Sequence, residues 1–399
     1  MGTIDHDAVL RARVLLLASG RPEQGELVDA YRTLMEVNPK AYAPLLVDAL
    51  LLTNHRNPKV RLASALEAVE AGRRIEVGAP ARKERLRRAL NAYQAALFAL
   101  GRRAEGRAVC EELAEEGWSG RLATVLAEEG RFREAAELNE KSVRSGAPEH
   151  SVPALIGWAA NLEGAGLHDA ASDVFREVID VARRRADEQR TSPAVLVWAL
   201  VHHSRMREAA GHPGQAAAAR REALTVLERT ASTDGSKGVD HLTDWVRLFV
   251  LSGRREEPAA SAESPMPPFG ADLGWSQDTW DAFLGALPSL EAEAAALRED
   301  DRLPELVDVQ RRIGIRLAAR DGHHRYGFAE RLEPHFDESV ALARRLPDDP
   351  ARLARALTDR SMFLVAAGTF GPAYADLAEA VTLLDGRWSQ ADPGRPSPA

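Results

Sequence analysis

The stretch from Ser119 to Pro148 fits one kind of local structure, two helices joined by a tight turn. Leu122, Ala123 and Leu126 fall on one face of a first helix, Gly130 stops it, and Phe132 follows the turn. Ala135, Ala136, Leu138 and Val143 then mark a second helix, which Gly146 and Pro148 close. A hairpin of this size cannot bury its apolar face alone, so it must stack on others like it. Glycines end comparable first helices at Gly101, Gly166, Gly211, Gly253 and Gly368.

The order of a large residue, a large-small pair, another large residue and then small residues in the second helix resembles a tetratricopeptide repeat (TPR). Leu155, Trp158, Ala159, Leu162, Ala171, Phe175 and Val178 restate it, as do Leu357, Ser361, Leu364, Phe370, Ala373, Leu377 and Ala380. Between Gly101 and Gly253 the helix stops are 29, 36, 45 and 42 residues apart, against about 34 in a regular TPR. The resemblance implies an all-α, TPR-like α-solenoid of antiparallel helix pairs, irregular, with a C-terminal helical lobe.

Residues 1–255 read as TPR-like helical repeats. Residues 256–272, with Pro258, Pro265, Pro267 and Pro268, read as a linker or long loop. Residues 273–388 read as further helical repeats, with Pro288 stopping or kinking a helix and Pro304 starting one, and 389–399 as a disordered tail. Gly274 to Ala286 are expected to supply the second helix missing after Gly253.

The composition suits this fold: 45% hydrophobic and 28% charged residues, with only 6% aromatics. A formal net charge of −8 argues against a nucleic-acid binder, which needs a basic face. The single cysteine, Cys110, allows no intrachain disulfide and no thiolate metal cluster, and its place in an apolar stripe with Leu113 reads as a buried thiol. Val14 to Ala18 is too short an apolar run for a membrane span or secretory signal, so a cytoplasmic location is expected.

Catalytic motifs are scarce. Gly235, Lys237 and Gly238 lack the spacing of a phosphate-binding loop. Asp300, Asp301 and Glu305, with Arg325 and Tyr326, resemble the aspartate-rich magnesium motif of terpene synthases, but acidic residues at a helix start serve its dipole equally well. His202 and His203 point about 100° apart on a helix and cannot share a metal unaided. His323, His324 and His335 offer loop and helix-start imidazoles for a metal or pH-sensitive site. No cofactor or metal is expected.

Trp158 and Trp245 occupy the repeat's large core position. The TPR register instead places Trp198 on the inner, groove-lining face, together with Arg88, Asn91, Thr124, Arg205, Glu208, Thr243, Arg247, Arg355 and Thr358. TPR grooves hold peptide carboxylates with such residues. The resemblance therefore implies a non-catalytic protein-interaction scaffold or adaptor that binds a protein or peptide partner, acidic or by its C-terminus. The alternatives are a regulatory sensor whose two lobes close about the linker, and a helical-repeat enzyme with a metal site near Asp300 and His323.

Overall fold

A computed structural model describes residues 5–17, 20, 22–53, 56–146, 152–232, 242–271, 273–322 and 327–391, with side chains as far as residue 386. The described residues form α-helices and one 3₁₀ turn, without β-strand. They divide into two compact units, 1–125 with 276–278, and 126–275 with 279–399. The division therefore falls inside a helix of the repeat array rather than at residues 256–272. Residues 256–272, read as a linker or long loop from their Pro and Ser clusters, lie within the second unit.

The first unit contains α1 (His6–Leu17), α2 (Gln24–Val37), α3 (Pro39–Leu52), α4 (Pro58–Arg74), α5 (Arg82–Ala99), α6 (Arg103–Glu115) and most of α7 (Gly120–Glu128). Consecutive helices from α1 to α6 pack against one another. Asn38 and Asn57 cap the starts of α3 and α4, each ahead of a proline whose missing N–H costs nothing there. Cys110 is buried beside Phe98 and Val125.

The second unit contains α8 (Phe132–Ser145), α9 (Val152–Gly164), α10 (His168–Asp187), α11 (Ala194–Ala209), α12 (Pro213–Ser232), α13 (Leu242–Ser252), the 3₁₀ turn Arg254–Glu256, most of α14 (Gln277–Gly285), α15 (Leu287–Glu299), α16 (Leu303–Asp321), α17 (Phe328–Arg344), α18 (Pro350–Ala366) and α19 (Phe370–Ala391). Neighbours pack in sequence from α8 to α12 and again from α15 to α19. Pro288 starts α15 rather than ending α14.

The expected helix stops have a common geometry. Gly101, Gly130, Gly166, Gly211 and Gly368 adopt φ of 68°, 76°, 77°, 78° and 76°. At each, the next residue's N–H reaches back to a carbonyl of the last turn, as in Arg131 to Leu126 at 2.8 Å and Thr369 to Leu364 at 2.9 Å. This left-handed closure satisfies otherwise orphaned carbonyls and favours glycine. Gly253 differs, with φ −88°; a Cβ there would stand 2.4 Å from Ile315 Cδ1, so a larger residue would require that side chain to move. Asp301 makes the left-handed stop after α15 with φ 53°.

One apolar core runs through the second unit from Ala136 to Val381. The later helices fold back on the earlier ones: α18 packs on α11 and α13, α16 on α13, and α19 on α12. Helix α11 is consequently buried on nearly every side. Trp245 sits among Phe249, Phe328, Phe336 and Phe363 in the same core.

Residues 257–271 form no helix, yet they are tied along their length. The Glu257 carboxylate, 2% exposed, takes Nη1 and Nη2 of Arg316 at 2.7 and 2.9 Å. Met266 N–H donates to Glu128 O at 2.9 Å. Phe269 is buried against Phe283. Gly130 and Gly270 let this strap lie close, since a Cβ would meet Ala260 O at 2.3 Å and Ala160 Cβ at 2.5 Å respectively. The segment is a long loop tied to its own unit.

Candidate functional site

Folding back has a local consequence: where α18 and α19 meet α11 and α12, small side chains leave a cleft of about 460 Å³. Val201, Ala209, Ala354, Leu377 and Leu384 provide its apolar walls, and five arginines, Arg205, Arg220, Arg255, Arg311 and Arg355, line it against two glutamates, Glu208 and Glu256. Its volume lies in the range of small-ligand and peptide-residue pockets.

The arginines are organised by carboxylates. Asp359, on α18, accepts Arg205 Nη2 at 2.6 Å and Arg311 Nε at 2.7 Å. Burial alone would raise the pKa of this aspartate, but Arg311 and then Arg205 outweigh it and hold the group below the usual carboxylate range. Arg311 also donates to Glu256 Oε1 at 2.5 Å and Ser252 Oγ at 2.7 Å. Its pKa is raised, because Asp359 and Glu256 overcome the desolvation that would lower it. Arg355 bridges Glu256, at 3.3 Å, and Asp308. Arg355 is about one third exposed and Arg205 somewhat less, so both present charge to an incoming group.

Four of the ten groove residues read from the sequence, Arg205, Glu208, Arg355 and Thr358, line this one cleft although they lie some 150 positions apart. The Thr358 hydroxyl is spent on Ala354 O at 2.7 Å. Trp198 is not a groove residue: it is 2% exposed and its Nε1–H donates to Met362 O at 3.1 Å, because α18 covers the face that an open array would expose. Arg247 is likewise buried, bonded to Asp244 at 2.5 Å. Thr243 is exposed at the start of α13, outside the cleft lining. Arg88, Asn91 and Thr124 belong to the first unit; Arg88 pairs with Asp48 at 3.0 Å, and Thr124 bonds Gly120 O at 3.1 Å.

Four charged cleft residues were missed, Arg220, Arg255, Glu256 and Arg311. Arg220 faces inward from a second helix, which the repeat register assigns to the outside, and Arg311 and Glu256 come from parts not placed in the groove at all. A hint existed for Arg220 in its i, i+3 and i, i+7 relations to apolar Ala223 and Leu227.

The acidic turn has a structural use. Asp301 is the left-handed stop described above and pairs with Arg345 at 3.3 Å, while Glu305 takes Arg302 at 2.7 Å. Residues 323–326, which include His323, His324, Arg325 and Tyr326, lie outside the described residues, as do Asp234–Gly238 and the tail from 392. Among the described residues no group of three or more His, Cys, Asp and Glu side chains is placed to hold a metal ion. His202 is buried against Phe175 and its pKa is pushed down to about 3, by burial first and then by Arg205. His335, half-buried, is lowered by burial as well. No described helix is long and apolar enough to cross a membrane.

No family model and no curated protein matches the chain. Among solved structures, the crystal structure of BtubC (BKLC) from P. vanneervenii matches over 86% of this chain and 96% of its own, at 15% identity and a TM-score of 0.23.

Proposed function

We propose that this chain is a non-catalytic, TPR-like recognition protein of the cytoplasm. Its second unit would hold an acidic or C-terminal segment of a protein partner. The observation that carries the reading is the convergence of five arginines on a single apolar-walled cleft. Arginine forks match carboxylates in geometry as well as charge, and apolar walls supply the burial that orients a peptide side chain. The competing sensor reading relied on a hinge at residues 256–272, and that segment is fastened by the Arg316–Glu257 pair and by Phe269. The metal-enzyme reading rests on Asp300, Asp301, His323 and His324; Asp301 serves the helix stop, and the two histidines lie outside the described residues.

A peptide array tests the proposal. Acidic and free-C-terminus peptides are probed with the full-length protein and with an Arg205→Ala/Arg355→Ala variant whose melting temperature is recorded in parallel. Arg311 still holds Asp359 in that variant, so the fold is retained. Selective binding of carboxylate peptides by the parent, weakened about tenfold or more in the variant, is expected. Equal binding by the two proteins rejects the cleft as the site.

A further inference from the structure

One guanidinium edge in the cleft carries no hydrogen bond. Arg220 is 3% exposed. Its Nη1 donates to Glu208 Oε2 at 3.1 Å, whereas Nε and Nη2 have no hydrogen-bond partner. Nη2 lies 3.5 Å from Asp385 Oδ1, and that oxygen also lacks a hydrogen bond. The Nε–H and Nη2–H bonds run side by side, which is the edge that matches the two oxygens of a carboxylate. Two other arginines fill this edge: Arg32 grips Glu67 at 2.7 and 2.8 Å, and Arg360 grips Asp376 at 2.7 and 2.8 Å. At Arg220, Asp385 covers the edge without engaging it.

Resting on the reading of the cleft as a peptide site, we propose that the partner's carboxylate displaces Asp385 and takes Nε and Nη2 of Arg220 together. Asp385 is more than one third exposed and its pair with Nη2 is long and without a hydrogen bond, so a carboxylate that makes two bonds can replace it. Two charge-assisted bonds to a buried fork contribute more. Glu208, holding Nη1, fixes the plane of the guanidinium for the incoming group. Leu377 and Leu384, on the same helix as Asp385, supply the wall for an apolar side chain beside the carboxylate. The ligand class is therefore a peptide whose carboxylate neighbours an apolar residue.

The test uses the full chain and four fluorescently labelled tetrapeptide pools of apolar residues, with or without one Asp or Glu, each as free acid or C-terminal amide. Affinities are read by polarisation for the parent, Asp385→Asn, Arg220→Lys and Arg355→Ala. Asp385→Asn, which removes the competing charge from a partly exposed site, is expected to bind carboxylate pools several-fold more tightly. Arg220→Lys keeps the charge but loses the fork and is expected to bind about tenfold more weakly. Binding of the free-acid pool without Asp or Glu identifies a C-terminal carboxylate, and binding of the amidated acidic pool identifies a side chain; either supports the proposal. If the pools bind and Arg355→Ala weakens them while Asp385→Asn and Arg220→Lys leave affinity unchanged, the Arg220 anchor is overturned and the cleft reading stands. If no pool binds the parent or Asp385→Asn, both fall.

Discussion

Replacing Glu257 by alanine isolates what fastens the strap. The Arg316 guanidinium is 3% exposed and the Glu257 carboxylate 2%, and the pair shares two hydrogen bonds of 2.7 and 2.9 Å. Arg316 keeps its bond to Phe283 O at 3.1 Å and its stacking over the Phe283 ring, but a buried positive charge loses its counter-ion. Removing one partner of such a pair costs about 3–5 kcal/mol. In a body of this size each kcal/mol lowers the melting temperature by roughly 2–4 °C, so a drop of at least about 6 °C is expected by calorimetry. The double variant Glu257→Leu/Arg316→Met removes both charges and is expected to recover most of the loss, because buried ion pairs are often no better than apolar packing. Limited proteolysis between residues 257 and 271 should accelerate in the single variant and not in the double one. A single variant within about 1 kcal/mol of the parent would refute the assignment of the strap's anchorage to this pair.

The glycine stops give a paired test by urea unfolding: Gly211→Ala, with open space around it, should lose about 1–2 kcal/mol from left-handed strain alone, whereas Gly130→Ala also drives a methyl toward Ala260 O and should lose more. His202 titrates near 6.5 when unfolded and about 3 when folded, so the unfolded state binds the extra proton between those values. Stability should therefore fall as pH drops below 6.5, by roughly 2 kcal/mol at pH 5 from this residue, and His202→Leu should flatten that part of the profile. Asp359, with its lowered pKa, contributes in the same sense but in a more acidic window, its stabilisation being present above the unfolded aspartate value and lost as pH falls below it. Trp198→Phe should cost about 1–2 kcal/mol through the lost indole hydrogen bond and packing, and a groove tryptophan would instead change binding and not stability.

Helices with apolar faces at helical spacing, and stops made by glycine in left-handed conformation, were legible from the chain because both are local. Gly101, Gly130, Gly166, Gly211 and Gly368 needed nothing beyond their own turns. Arg205 and Arg355 were legible as inner-face residues for the same reason. Trp198 and Arg247 were misread because their burial depends on α18 and on the rest of the second unit, and no spacing rule carries that information. Pro258 to Pro268 read as a linker from composition; the carboxylate two residues after Arg255 finds its arginine 59 positions away, which sequence pattern does not encode. Arg220 was hidden for a related reason, since only the return of α19 turns its helix into a wall of the cleft.

The seating of α18 on α11 and of α19 on α12 sets the order of events on the ribosome. An open repeat array can consolidate from its first hairpin onward, each new pair resting on the last. Here Trp198 waits for Met362, 164 residues downstream, before its indole N–H has an acceptor. Arg205 waits for Asp359, 154 residues downstream. Until the final two helices emerge, α11 presents an apolar flank to the cell, and a message truncated before α18 would yield a chain that chaperones and proteases recognise as unfinished.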